Sequence, residues 1–221
     1  NSLIAKVFSY NGMKVLLIDA DLRKPTLHKN FLLENNLGLS NLLNDKISNI
    51  DKYLNNLNSN FSIITSGTKI FNPTKILSSP KMNELIKYLR ESNKFDLIIF
   101  DTPPCLGLSD YKLISRNLDG LIFLVALGYV KKYFAKNTFD EIKNLNFKII
   151  GILTNSLIVN QSDFSKNPIY RYYGTFYEEY LTDKNNINKE NKDFDTKQKN
   201  NFLNFGKLKK LFKKYLKWLD N

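Results

Sequence analysis

The chain's architecture is set by the segment Val15-Leu-Leu-Ile-Asp19-Ala-Asp21-Leu-Arg23-Lys24-Pro25 and by a second one, Asp96-Leu-Ile-Ile-Phe-Asp101-Thr-Pro-Pro104. In both segments a short apolar run, unbroken by polar alternation, ends at an aspartate. Such runs are typical of strands that are buried on both faces of a parallel sheet. The two segments therefore predict two buried strands, each with a carboxylate at its carboxyl end.

Three further apolar runs extend this pattern along the chain, and helix-like segments separate them. The five predicted strands are Lys14–Ile18, Phe61–Thr65, Phe95–Phe100, Leu121–Val125 and Phe147–Leu153. Ser79-Pro80, followed by an apolar stripe to Leu89, predicts a helix that begins at a proline, and Phe134–Leu145 predicts another. Alternating strands and helices indicate an α/β domain, a doubly wound and mostly parallel sheet.

Asp19 and Asp101 would lie where such sheets bind ligands, in the crevice beyond the carboxyl ends of the strands. Carboxylate oxygens there suit a hydrated Mg²⁺ that bridges nucleotide phosphates. A simpler interpretation is that each aspartate caps the turn after its strand. Because two separate strands end this way, and Asp21 follows the first, we favour a nucleotide–Mg²⁺ site.

Composition excludes several other kinds of protein. The 221 residues contain one cysteine, Cys105, and one histidine, His28, which argues against a disulfide scaffold and against histidine-based metal catalysis. No apolar run approaches the roughly 20 residues of a transmembrane helix. The formal net charge of +12 suggests an acidic partner.

The polar and basic residues after the last predicted strand divide the chain further. We predict a catalytic domain over residues 1–158, a tyrosine-rich segment over 159–182, a flexible linker over 183–201 and a basic amphipathic helix over 202–221. The last of these contains six lysines and one aspartate, or +5 of the +12. Such a helix either covers an apolar patch of the core or lies on an anionic membrane surface, and Trp218 with the lysines favours the membrane. Nucleic acid is an unlikely partner, because no recognisable module interleaves the lysines with stacking aromatics.

The two aspartate segments resemble the Walker A′ and Walker B motifs of the bacterial protein-tyrosine kinases of polysaccharide export, which belong to the P-loop NTPase superfamily. The resemblance extends through Gly38-Leu-Ser-Asn-Leu-Leu43, Ser66-Gly67, Asn72-Pro73 and Gly151-Ile-Leu-Thr-Asn155, and covers the chain to about residue 180. The segment Tyr170–Tyr180 is similar to the tyrosine cluster that these kinases autophosphorylate.

The resemblance implies a role for each matching residue. Asp19 and Asp21 would be the Walker A′ carboxylates that bind Mg²⁺ and orient or deprotonate the incoming tyrosine, and Asp101 would hold Mg²⁺ from further away. Arg23 would meet a phosphate or a neighbouring subunit, and Asn155 would contact adenine. ATP and Mg²⁺ would be the cofactors. The phosphate acceptors would be Tyr170, Tyr172, Tyr173, Tyr177 and Tyr180, although these tyrosines could also be aromatic packing on a neighbour.

The sequence also departs from the family pattern. It contains no Gly-x-x-x-x-Gly-Lys-[Ser/Thr] phosphate loop, and Asn1–Gly12 looks like the end of the helix that follows one. We therefore expect an incomplete N-terminus, and we expect no phosphoryl transfer from a chain that truly starts at Asn1. Thr74-Lys75 follows Asn72-Pro73 where the family usually has Pro-Glu.

These features lead to one main hypothesis and two alternatives. The main one is an ATP-dependent tyrosine autokinase that regulates capsular or exopolysaccharide biosynthesis and export. Its partners would be its own subunits and a membrane-spanning chain-length regulator, at the cytoplasmic face of the inner membrane. The alternatives are a membrane-associated ATPase switch of the partitioning or septum-positioning type, and an inactive truncated adaptor.

Overall fold

The computed structural model describes residues 1–105, 108–127, 130 and 132–156, all of which belong to one compact unit, residues 1–182. The strands are β1 (Val15–Asp19), β2 (Asn55–Asn58), β3 (Phe61–Ile64), β4 (Leu97–Asp101), β5 (Leu121–Leu127) and β6 (Ile149–Ser156). The helices are α1 (Ser2–Tyr10), α2 (Leu27–Asn30), α3 (Leu39–Leu42), α4 (Pro73–Leu77), α5 (Pro80–Glu91), α6 (Asp110–Ser115) and α7 (Lys132–Asn144), with a 3₁₀ helix over Ile47–Tyr53. The predicted boundaries at residues 158, 182 and 201 lie outside the described residues and stay predictions.

The first four strands form one sheet in the order β2-β3-β1-β4. Strand β1 is parallel to both of its neighbours, and β2 runs antiparallel at the edge. Strands β5 and β6 form a separate parallel pair. The predicted α/β fold with a mostly parallel sheet is confirmed, and all five predicted strands are present.

Alternate side chains of β1 pack into two hydrophobic cores, one on each face of the four-stranded sheet. Because both faces are buried, the strand has no polar residue before Asp19. Leu16 and Ile18 pack in the larger core, where α5 contributes its stripe of Met82, Leu85, Ile86 and Leu89. Val15 and Leu17 pack in the smaller core with Ala5 of α1. Helices therefore cover both faces of the sheet, as in doubly wound folds.

The helix ends follow local sequence signals. Helix α5 begins at Pro80, as predicted, because proline at the first helical position needs no hydrogen-bond acceptor. Helix α1 ends at Tyr10, and Gly12 adopts a φ of 91° in the turn that leads into β1. This matches the predicted helix end within Asn1–Gly12.

Four strand edges lack a partner among the described strands, and those of β4 and β5 are the two considered next. Strand β4 pairs only with β1, and β5 pairs only with β6. Although β4 is almost wholly apolar, each of its residues is only partly buried, whereas those of β1 are fully buried. Ile122 and Leu124 of β5 are each 51% exposed. The two strands at these edges are thus apolar, and their side chains are incompletely buried.

Within the described residues, no helix has both the length and the apolar character required to cross a membrane.

Candidate active site

Strands β1 and β4 bring the two predicted strand-end carboxylates together. Asp19 and Asp101 are the last residues of their strands and lie directly opposite each other in the parallel register. The Ala20 N–H, just beyond β1, donates to the Asp101 carbonyl oxygen at 2.8 Å. The pairing therefore continues past the aspartates and fixes their backbones side by side.

The segment after β1 folds back on its own carboxylates. One oxygen of Asp19, Oδ2, accepts the Leu27 N–H at 3.0 Å, and Asp21 Oδ1 accepts the N–H groups of Arg23 and Lys24 at 3.1 and 2.9 Å. Aspartate readily accepts such local bonds, since its short side chain reaches the backbone two or three residues ahead. Asp21 therefore caps the turn after β1, and Asp19 closes the longer loop that leads to Leu27.

The electrostatics of the site favour a bound cation. The pKa of Asp19 is raised to about 7, chiefly by burial and also by the nearby carboxylates of Asp101 and Asp21, against the lowering effect of the Leu27 N–H. Burial also raises the pKa of Asp101, while the hydrogen bond from the Asn1 side chain lowers it. Adjacent buried carboxylates of like charge are costly to ionise, and a divalent cation would relieve that cost.

The described residues can supply only some of the ligands that Mg²⁺ needs. Within the described part of the chain, no three His, Cys, Asp or Glu side chains are grouped to hold a metal. Mg²⁺ usually keeps several waters and takes one or two carboxylates together with phosphate oxygens. The pair Asp19 and Asp101 suits that arrangement, with the remaining ligands coming from nucleotide and water.

The start of helix α1 lies at the same edge of the sheet. The Asn1 side-chain amide donates to Asp101 Oδ1. Helix N-termini favour anions, because their first N–H groups have no partner within the helix. The position of α1 thus adds a phosphate-compatible element beside the carboxylates.

Arg23 makes contacts that the sequence did not predict. Its Nε and Nη2 donate to the two oxygens of Asp110 at 2.6 and 3.1 Å, and Nη2 also donates to Thr74 Oγ1 at 2.9 Å. Sequence reasoning missed Asp110 and Thr74, since no local pattern indicates a partner 87 residues away. The one sequence signal that could have indicated this pair is Asp110, the acidic first residue of the helix that follows the Asp101 segment.

Of the remaining predicted residues, one belongs to the other strand pair and the rest lie outside the described residues. Asn155 is exposed near the end of β6, opposite Ala126 of β5, and belongs to the second strand pair. The tyrosines from Tyr170 to Tyr180 are outside the described residues. Cys105 is partly buried, and burial raises the pKa of its thiol to about 11.

Comparison with known proteins agrees with this geometry. An AAA domain family model, AAA_31, matches residues 2–148. The tyrosine-protein kinase YwqD of Bacillus subtilis is 37% identical over 172 residues, which cover 78% of this chain and 70% of that protein.

Solved structures point the same way. The kinase domain of the Escherichia coli tyrosine kinase ETK superposes with a TM-score of 0.65 at 28% identity, over 72% of this chain and 61% of that one. The septum site-determining protein MinD of Pyrococcus horikoshii, solved as a complex with Mg-ADP, shares the fold with a TM-score of 0.56 at 20% identity, over 74% of this chain and 65% of that one. At that identity the likeness concerns the fold alone.

Proposed function

Because the chain belongs to the family of bacterial tyrosine-protein kinases, we propose that it is an ATP- and Mg²⁺-dependent tyrosine autokinase that regulates capsular or exopolysaccharide biosynthesis and export. The observation that carries the proposal is the side-by-side placement of Asp19 and Asp101 at the ends of β1 and β4. Two carboxylates at one edge of a parallel sheet suit a hydrated, nucleotide-bound Mg²⁺.

Each carboxylate has a distinct part in the proposed reaction. Asp19 would hold Mg²⁺, directly or through water, and Asp101 would hold the hydrated ion from further away. Asp21 accepts a hydrogen bond from the incoming tyrosine hydroxyl, whose ordinary pKa near 10 makes a nearby base useful. Bound Mg²⁺ would supply charge neutralisation at the transferring phosphate, which together with positioning is most of what phosphoryl transfer requires.

The phosphate loop of this kinase would precede Asn1. Three features support that proposal: the unpaired apolar edge of β4, the unpaired edge of β5, and the start of α1 beside Asp101. One additional parallel strand next to β4 would end at the same sheet edge as Asp101. A short loop from that strand into α1 would then place backbone N–H groups around a phosphate.

The proposed acceptors and partners follow from the family. Tyr170, Tyr172, Tyr173, Tyr177 and Tyr180 would be phosphorylated between subunits, which makes the segment strongly anionic. Asn155 would contact the adenine ring. A membrane-spanning chain-length regulator would hold the kinase at the cytoplasmic face of the inner membrane, with residues 202–221 on the anionic lipid surface.

The proposal is tested with the protein expressed from its whole gene, incubated with labelled ATP and Mg²⁺. We expect phosphotyrosine within Tyr170–Tyr180, and we expect Asp19→Asn and Asp101→Asn each to lower the rate by at least about tenfold. Asp119→Asn, which removes an exposed carboxylate paired with Arg90, is the matched control and should retain full activity.

Two results would overturn the proposal. A wild-type protein that hydrolyses ATP without forming phosphotyrosine, and whose cellular behaviour survives replacement of all five tyrosines by phenylalanine, would instead be an ATPase switch. A protein that neither binds nor turns over ATP when expressed from the whole gene would be an adaptor.

A further inference from the structure

We propose that Asp110 and Thr74 are positioning residues: they hold the Arg23 guanidinium, and through it they fix the turn that orients Asp21. This inference rests on the proposed kinase function, because Asp21 matters most if it faces the incoming tyrosine. It also assigns Arg23 a role that differs from direct phosphate binding.

The geometry is that of a closed three-membered network. Arg23 Nε lies 2.6 Å from Asp110 Oδ2, and its Nη2 lies 3.1 Å from Asp110 Oδ1 and 2.9 Å from Thr74 Oγ1. The Thr74 hydroxyl in turn donates to Asp110 Oδ1 at 3.0 Å. Every distance is within the range of a good hydrogen bond, and the arginine binds the carboxylate with two nitrogens.

Burial makes this pairing strongly preferred. The Asp110 side chain is only 1% exposed and that of Arg23 is 26% exposed. A buried carboxylate that loses its cationic partner is left with an uncompensated charge, which is costly. The ion pair with Asp110 therefore strongly favours this position of the Arg23 guanidinium.

The network connects three segments that are far apart in sequence. Thr74 is in α4, Asp110 begins α6 beyond the Asp101 strand, and Arg23 lies in the turn after β1. The Arg23 main-chain N–H donates to Asp21 Oδ1 at 3.1 Å. When Asp110 and Thr74 fix the Arg23 side chain, they therefore also fix the donor that orients the Asp21 carboxylate.

Thr74 contributes the one hydroxyl group of the network. The threonine hydroxyl both accepts from Arg23 and donates to Asp110, so it completes the network in this chain.

The test measures kcat and KM for ATP in the kinase expressed from its whole gene. Asp110→Asn keeps the side-chain shape and removes the charge, and Thr74→Val removes the hydroxyl group. Arg23→Lys keeps the positive charge but removes the guanidinium that binds the carboxylate with two nitrogens. We expect all three to lower kcat, by up to roughly a hundredfold for Asp110→Asn, with KM changed less than twofold, since small misplacements of a reacting group are that costly. Asp119→Asn, which breaks the exposed pair with Arg90, is the matched control and should leave kcat unchanged.

A double substitution separates positioning from phosphate binding. If Arg23 acts through Asp110, then Asp110→Asn should have little further effect in the Arg23→Lys background. An Arg23→Lys variant with near wild-type kcat, or a raised KM with kcat unchanged, would instead indicate a simple charge contact with ATP and would overturn the proposal.

A second measurement needs no activity. Amide hydrogen exchange of Arg23 and Lys24 in the 221-residue chain should accelerate at least about tenfold in Asp110→Asn and not in Asp119→Asn, since both amides donate to Asp21. Unchanged exchange would refute the positioning role even if the wild-type protein proved to be no kinase. Accelerated exchange in an inactive protein would uphold the network while the proposed function failed.

Discussion

At the residue scale, the protonation of Asp19 makes the stability of the metal-free chain depend on pH. Its pKa is about 7 in the folded protein against an ordinary 3.8, chiefly because it is buried. Between about pH 4 and pH 7 the unfolded chain releases this proton and the folded chain keeps it, so stability falls as pH rises through that window. A pKa difference of about 3 corresponds to an upper limit of roughly 4 kcal/mol. We expect Asp19→Asn to flatten this dependence and to raise the melting temperature at pH 8, measured without Mg²⁺.

Asp119→Asn is the control for that measurement, because its carboxylate is 91% exposed. It should melt with the same pH dependence as the wild type. Equal slopes for Asp19→Asn and the wild type between pH 4 and pH 7 would contradict the prediction.

Cys105 carries a second prediction at this scale. Burial and the negative charge of Glu141 raise the pKa of its thiol from 9.0 to about 11. At pH 8 the reactive thiolate is then roughly a hundredfold scarcer than for an ordinary cysteine. We expect slow alkylation by iodoacetamide in the folded chain and rapid alkylation in urea, followed by mass spectrometry. Equal rates in the two conditions would show that Cys105 is accessible and ionised.

At the scale of elements, helix α3 is held against the loop after β3. The N–H groups of Leu39 and Ser40 donate to the carbonyl oxygens of Thr65 and Ser66 at 2.8 and 2.9 Å. A methyl group on Gly38 would overlap the Gly67 nitrogen and the Thr65 oxygen, which are backbone atoms and cannot rotate away. We therefore expect Gly38→Ala to lower the free energy of unfolding in urea by about 1–3 kcal/mol.

Gly151 in β6 provides the matched control, because a methyl group there meets no other atom within 4 Å. Gly151→Ala should leave the free energy of unfolding within about 0.5 kcal/mol of the wild type. Equal free energies of unfolding for the two variants would show that the close contact between α3 and the loop does not contribute to stability.

Some of the secondary-structure elements can be predicted from the sequence and others cannot. Runs such as Val15–Ile18 are apolar throughout and end at an aspartate, so residue pattern alone predicts β1, β4 and the strand-end aspartates. Strand β2 was missed because Asn55–Asn58 is polar and forms an antiparallel edge, for which periodicity offers no signal. The Arg23–Asp110 pair was missed for a different reason: tertiary packing creates it, and neither residue is unusual in its local sequence.

At the scale of the whole molecule, the chain's two sheets have unpaired edges that face no described strand. Strand β3 is paired on both sides, by β1 and β2, whereas β4 and β5 are each paired on one. The backbone N–H groups along an unpaired strand edge are open to water. Native proteins usually cover such an edge when the strand is apolar. If a strand that precedes α1 pairs with β4 and β5, it must protect those N–H groups.

Hydrogen exchange with mass spectrometry can test that pairing. We compare the 221-residue chain with the kinase expressed from its whole gene, and follow peptides that contain Leu97–Asp101 and Leu121–Leu127. Both should exchange at least about tenfold more slowly in the longer protein, because each newly paired amide must now wait for local opening. A peptide that contains Phe61–Ile64 is the internal control and should not change, since β3 already has two neighbours. Unchanged exchange in β4 and β5 would mean that no strand fills the edge, and the proposed phosphate loop would then have no place in this fold.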